Sequence, residues 1–99
     1  MANFTVEPAV LMQKAADLNQ CAETYESIST QLHTAATTLG SAYDTEDNRT
    51  YVNRMEECVK DLKAMAEKLK ESAQTITEQA NIYVNQQVNN TQSARKLPG

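Results

Sequence analysis

An uninterrupted apolar repeat in the first half of the chain constrains its fold more than any other feature. Between residues 11 and 39, mostly apolar residues recur in alternating steps of four and three. The positions of this repeat are Leu11, Ala15, Leu18, Ala22, Tyr25, Ser29, Leu32, Ala36 and Leu39. Such heptad spacing is typical of a helix that packs along its whole length against another helix. Cys21, Ile28 and Ala35, again seven apart, widen the apolar stripe on one flank.

The second half of the chain carries a broader apolar pattern of the same period. One seam runs through Tyr51, Met55, Cys58, Leu62, Met65, Leu69, Ser72, Ile76, Gln79 and Tyr83. Beside it lies a row with a spacing of seven, which consists of Val52, Val59, Ala66, Ala73 and Ala80. One of the two can meet the first helix, which leaves the other for a partner. We expect the partner interface to comprise that row of five together with Leu18, Tyr25 and Leu32 of the first helix.

A short segment between the two patterns contains the signals of a helix end and a new helix start. Gly40 is the only glycine before the last residue, and glycine is a favoured helix terminator. Asp44 and Thr45 follow and can cap the first amides of a new helix, with Thr45-x-x-Asn48 close to a capping box. Pro8 suits the first turn of the first helix. The sequence therefore predicts one helical-hairpin domain over residues 1–99, with a helix at about 8–39, a turn at 40–45, a second helix at 46–88 and a disordered tail at 89–99.

The small size of the chain bears on its assembly. It has 99 residues, of which 40 % are hydrophobic and only 5 % aromatic. Two helices alone cannot enclose an apolar stripe on all sides, so one side of a lone hairpin remains exposed to solvent. We therefore expect an all-α, antiparallel two-helix hairpin that dimerises into a four-helix bundle.

The two cysteines do not fit a disulfide. In a hairpin that turns at residues 41–45, Cys21 and Cys58 are about seven residues out of register, which is ~10 Å along a helix. The Cα atoms of a disulfide lie within about 7 Å of each other. Both cysteines adjoin apolar positions, so we expect them to be small buried core residues.

Residues that could carry chemistry are few. A net charge of −4 without a basic stripe argues against nucleic-acid binding. The single histidine, His33, is expected to be a surface or capping residue, and no zinc spacing or glycine-rich phosphate loop is present. The carboxylates lie on the polar face rather than in a pocket. We expect no enzymatic activity, no cofactor and no metal.

The sequence also bears on cellular location. No apolar run approaches the roughly 20 residues needed to span a bilayer. The first residues have no basic n-region and no apolar h-region, which predicts no cleavable secretory signal. The protein is expected in the cytoplasm, or exported by a route that reads the folded chain.

Two tyrosines at the predicted turn carry a family resemblance. Tyr43-Asp44-Thr45 lies at the turn, and Tyr51 follows Tyr43 by eight residues. Over about residues 4–88 the chain resembles the WXG-motif family of small type VII secretion proteins, the ESAT-like helical hairpins. In that family a Trp-x-Gly turn joins two helices, and an aromatic residue follows the tryptophan by eight positions. Here Tyr43 replaces the tryptophan and Thr45 replaces the glycine.

The family's secretion signal, Tyr-x-x-x-Asp/Glu, follows the second helix, and the matching positions here are Tyr83 and Gln87. Glutamine replaces the acid, as in a hairpin whose partner carries the signal. The resemblance implies a non-enzymatic substrate, or partner of a substrate, of a type VII (ESX-like) secretion system. It implies export as a folded helical dimer without a cleavable signal peptide, from a cytoplasmic pool. The implied partners are a second copy, another helical hairpin or an LXG-type toxin, and a secretion ATPase.

Two other interpretations remain open. The broad apolar face also suits a cytoplasmic adaptor or chaperone that binds a secreted effector toxin and is not itself exported. A structural coiled-coil module is the third interpretation.

Overall fold

Two long helices form an antiparallel hairpin. The computed structural model describes the backbone of residues 7–96 and the side chains of residues 7–90. Helix α1 spans Pro8–Ala42 and helix α2 spans Glu46–Lys96; within the described residues there is no strand. The molecule is 83 Å long, 25 Å wide and 13 Å thick. The predicted all-α hairpin is confirmed, whereas its association into a four-helix bundle stays a prediction.

Helix α1 begins at Pro8, as expected from the fixed φ of proline. Glu7 precedes it in an extended conformation, with φ of −74° and ψ of 128°. The Glu7 carbonyl oxygen accepts hydrogen bonds from the main-chain N–H groups of Val10 and Leu11, at 3.0 and 3.2 Å. These bonds close the first turn without a side-chain cap.

The end of α1 corrects the role expected of Gly40. The helix continues through Gly40 to Ala42, and Tyr43 ends it in an extended conformation with φ of −138°. The Tyr43 N–H still donates to the Leu39 oxygen at 3.3 Å. The turn is therefore residues 43–45 rather than 40–45. An extended residue terminates the helix, so the positive φ that glycine favours is not required.

Helix α2 also exceeds its predicted length. It runs to Lys96 rather than ending near residue 88. Asparagine and glutamine have only moderate helix propensity, but they do not break a helix, and neither glycine nor proline occurs between residue 40 and Pro98. The predicted disordered tail is thus helical over residues 89–96, and residues 97–99 lie outside the described part. With 51 residues against 35, α2 extends about 24 Å further than α1.

Small residues form the centre of the interface between the helices. On α1 the buried positions are Ala15, Ala22, Ser29 and Ala36, each seven residues from the next. On α2, apart from Asn48 near its start, they are Val59, Ala66, Ala73 and Ala80, with the same spacing. Small side chains allow two helix backbones to approach closely, so the larger side chains lie beside this central line instead of on it.

This arrangement corrects the assignment of rows on α2. The row expected to be free for a partner (Val59, Ala66, Ala73 and Ala80, with Val52 half-buried at its start) is the row that packs against α1. The seam expected to meet α1 divides in two. Met55, Leu62, Leu69 and Ile76 are half-buried, whereas Tyr51, Cys58, Met65, Ser72, Gln79 and Tyr83 are exposed.

Candidate functional site

The turn is held by one buried polar side chain, that of Asn48. Asn48 is only 9 % exposed. The Asn48 side-chain nitrogen donates to the main-chain oxygen of Leu39 at 2.9 Å and to that of Tyr43 at 2.6 Å. Both acceptors belong to the end of α1, where the last carbonyl groups lack a full set of helical partners; the Leu39 oxygen also accepts the Tyr43 N–H. One side chain from the start of α2 therefore completes the end of α1.

Thr45 caps α2, as its position in the sequence predicts. Its side-chain oxygen accepts the main-chain N–H of Asn48 at 3.2 Å, which is half of a capping box. The other half is absent, because the side chain of Asn48 is directed to Leu39 and Tyr43. Arg49 adds an exposed ion pair with Asp44 at 2.5 Å. The threonine at the third position of the turn motif thus has a structural role.

The two tyrosines of the turn motif are both directed to solvent. Tyr43 is 65 % exposed and Tyr51 is 64 % exposed. Tyr51 borders a shallow polar depression on the first turns of α2, lined by Asp47, Thr50, Tyr51 and Arg54. A large aromatic side chain at this exposure contributes little to the core of the hairpin. Tyr43 therefore does not close the end of its own hairpin.

The positions that resemble a secretion signal lie far from the turn. Tyr83 and Gln87 are exposed, and they follow Ala80, the last buried position among the described side chains of α2. From Glu46 to Tyr83 the distance along the helix is about 55 Å. Within one chain, the turn motif and the signal-like positions are therefore not brought together. Tyr83 borders a second shallow depression, with Gln79, Ile82 and Gln86.

Larger apolar side chains follow one side of the hairpin, which we call the apolar face. It combines the half-buried rows of the two helices with the exposed positions beside them. The half-buried residues are Leu11, Leu18, Tyr25, Leu32 and Leu39 of α1, and Met55, Leu62, Leu69 and Ile76 of α2. The exposed residues include Cys21 and Ile28 of α1, and Tyr51, Cys58 and Met65 of α2.

Both half-buried rows lie on the same side because the helices are antiparallel. In each helix the larger residue comes three positions after a buried small one. Its side chain is therefore displaced by about 60° around the helix axis from the buried one, in the same sense in both helices when each is viewed along its chain direction. Reversing the direction of one helix brings the two displacements to one side. An apolar groove lined by Tyr25, Met65, Lys68, Leu69 and Ser72, from both helices, agrees with this geometry. Leu18, Tyr25 and Leu32 of the predicted interface therefore belong to the apolar face.

The opposite side of the hairpin is polar. Glu26 of α1 forms an ion pair with Lys70 of α2, and a groove beside the pair is lined by Ser29, Thr30, Lys63 and Glu67. The hydrogen bond to Glu26 raises the pKa of Lys70 above its ordinary value of 10.5. Reduced hydration opposes this shift, and the negative charges of Glu26, Glu67 and Glu23 add to it. Both partners are nearly half exposed, so the pair orients the helices with little gain in stability.

His33 also lies on the polar side. Its Nδ1 atom is 2.9 Å from Oε1 of Glu56 on α2, and the histidine side chain is 59 % exposed. The expected surface position of His33 is confirmed. Its contact with the other helix was not predicted.

The cysteines are not core residues. Cys21 and Cys58 are both exposed and neither forms a disulfide. The prediction that they are buried is wrong because each precedes a buried position, Ala22 and Val59, by one residue. A step of one residue turns a helical side chain by about 100°, out of the interface. Both cysteines thus lie on the apolar face.

The described part of the chain holds neither a candidate metal site nor a membrane-spanning helix. Among residues 7–96 no group of three or more histidine, cysteine, aspartate or glutamate side chains is placed to hold a metal ion. In the same part of the chain, neither helix contains a segment that combines the length and the hydrophobicity needed to span a bilayer. In comparisons with known proteins, no family model, curated protein or solved structure matches this chain.

Proposed function

We propose that the protein is a non-enzymatic substrate, or partner of a substrate, of a type VII (ESX-like) secretion system, and that it acts as a folded helical dimer. The observation that carries this proposal is the exposure of Tyr43, at a turn held by Asn48, and of Tyr51, which follows that turn near the start of α2. Aromatic side chains are enriched at the centres of protein interfaces. A fixed turn with two exposed tyrosines is therefore suited to recognition by another protein.

Export as a dimer gives the distant motif positions a way to act together. Tyr43 and Tyr83 lie near opposite ends of the hairpin. If two hairpins pack antiparallel, the turn of one copy lies near the extended α2 end of the other. The recognition surface then exists only in the folded dimer, which suits an export route that reads folded protein. In a mixed dimer, the partner would supply the acid that Gln87 replaces.

Export is tested by producing the protein in a strain with an active type VII system, and in the same strain with an inactive secretion ATPase. We expect the protein in the culture supernatant of the first strain only, while a cytoplasmic marker stays inside both. Complete retention in the active strain, with and without an LXG-type toxin or another hairpin as partner, would contradict the proposal.

The apolar face also favours a second candidate, a cytoplasmic adaptor or chaperone for a secreted effector. The exposure of Ile28 and Met65 on this face leaves apolar surface for an effector helix. This function requires a stable complex with one effector and no export of the chain. Finding the chain in the supernatant without cell lysis would exclude it.

A further inference from the structure

The side of α2 that packs against α1 loses its cover near the open end of the hairpin. Ala80 is fully buried, whereas Tyr83, Val84 and Val88 are 41 %, 40 % and 49 % exposed. Around the helix axis these three side chains lie within about 80° of the direction of Ala80. They therefore continue the side of α2 that faces α1, and we call them the uncovered stripe.

The stripe is exposed because α1 begins beside it. Gly40 lies next to Val52, since a Cβ atom on Gly40 would be 3.7 Å from Cγ2 of Val52. Pro8, the first residue of α1, precedes Gly40 by as many residues as Val84 follows Val52. In antiparallel helices of equal rise, Pro8 therefore lies at about the level of Val84. Past that level α2 continues to Lys96 with no part of α1 opposite it.

The chain that precedes α1 has an amino-acid pattern suited to this surface. Residues 1–6, which lie outside the described part of the chain, have the sequence Met-Ala-Asn-Phe-Thr-Val. Ala2, Phe4 and Val6 alternate with the polar residues Asn3 and Thr5. In an extended segment such alternation places the apolar side chains on one side and the polar ones on the other.

The same segment is long enough to reach the stripe. Glu7 is already extended where the chain enters α1. From Pro8 to Phe4 an extended chain spans about 13 Å. Val88 lies about 6 Å further along α2 than Val84, which is well within that reach.

We infer that residues 1–6 bind across the uncovered stripe of their own chain as an extended strap, with Phe4 and Val6 against Val84 and Val88. The strap takes over the contact with α2 at the point where α1 begins. Because it is joined to Pro8, its effective concentration at the stripe is high, and a second copy would have to displace it. Ile82, 55 % exposed and directed away from α1, is outside the stripe. The inference does not rest on the proposed function.

The position of the Phe4 ring tests the strap directly. Phe4 is the only phenylalanine of the chain, so nuclear Overhauser effects from its ring are unambiguous. We expect such effects to the methyl groups of Val84 or Val88 in the full chain. A mixture of isotope-labelled and unlabelled chains separates contacts within a chain from contacts between chains. Absence of these effects, or their occurrence only between chains, would overturn the inference.

Two neighbouring substitutions provide a matched test. F4D places a charge on the apolar side of the strap, and T5D places the same charge on its polar side. F4D should speed hydrogen exchange of the amides of residues 84–90 about tenfold, and T5D should change it by less than about twofold. Circular dichroism checks that both variants are helical. Equal exchange in F4D and T5D would overturn the inference. Neither measurement involves export, so this inference and the proposed function can fail separately.

Discussion

The side chain of Asn48 binds the main-chain oxygen of Leu39, nine residues earlier, at 2.9 Å. A second bond from the same nitrogen reaches the Tyr43 oxygen at 2.6 Å. Through these two bonds the first turn of α2 determines where α1 ends. The same contacts hold the backbone that presents Tyr43 to solvent. The geometry of the turn thus depends on a residue that is itself buried and not available to a partner.

We expect N48D to destabilise the hairpin by about 1–3 kcal/mol. The aspartate has nearly the same shape but no N–H donor, so the main-chain oxygens of Leu39 and Tyr43 lose the bonds from this side chain and face a carboxylate. Urea unfolding followed by circular dichroism measures the change. The matched control is N53D, at an exposed position of the same helix, which should change stability by less than about 0.5 kcal/mol. Equal effects of the two variants would refute the role of Asn48.

The position of Gly40 inside α1 predicts a stabilising substitution. A Cβ atom at this position would lie 3.7 Å from Cγ2 of Val52, an ordinary contact. G40A should therefore stabilise the protein by about 0.5–1 kcal/mol, because alanine loses less backbone entropy in a helix. Thermal or urea unfolding measures the gain. If G40A instead lowered stability, the helix would have to end at Gly40.

The close approach of the helices predicts that larger residues are not tolerated at its centre. Ala66 is 1 % exposed in the middle of α2. A66L should cost about 1–3 kcal/mol, because the added atoms can be placed only by separating the helices. A64L, two residues earlier and exposed, is the control and should cost little. A66L without loss of stability would mean that Ala66 does not lie at the centre of the interface.

The raised pKa of Lys70 predicts a dependence on alkaline pH. A group whose pKa is higher in the folded state contributes stability below its unfolded pKa and loses it as the pH rises through the folded value. Unfolding of the wild type is compared with that of K70M, which keeps the apolar stem without the charge. The difference between the two should be constant from pH 7 to 9 and should shrink above pH 10.5. A difference that grows over this range would have the wrong sign.

The heptad repeat was sufficient to predict two long antiparallel helices. Residues spaced three and four apart lie on one face of a helix, and the apolar faces of the two helices pack together. It did not decide which of two adjacent rows on α2 lies at the centre. The two rows are offset by one residue and both repeat every seven residues, so periodicity alone cannot distinguish them. The informative signal was residue size: Ala66, Ala73 and Ala80 match Ala15, Ala22 and Ala36. Close packing requires small residues on both helices.

The turn was only partly predictable for a different reason. The cap by Thr45 is local and follows from its spacing to Asn48. The bonds from Asn48 back to Leu39 and Tyr43 span the turn, and their geometry depends on how the two helices meet. The same holds for the Glu26–Lys70 pair, whose partners are 44 residues apart. Such contacts depend on the register of the two helices, which the local sequence pattern does not determine.

The most direct measurement is the amount of protein exported by a strain with an active type VII system when Tyr43 is changed. Y43A removes the exposed ring at the turn, while Y43F keeps the ring and loses only the hydroxyl group. Because Tyr43 is 65 % exposed, neither change should alter folding, which circular dichroism checks. We expect export of Y43A to fall at least about tenfold, as for an interface hot spot, and export of Y43F to stay near the wild-type level. Export of Y43A at the wild-type level would contradict recognition through the turn.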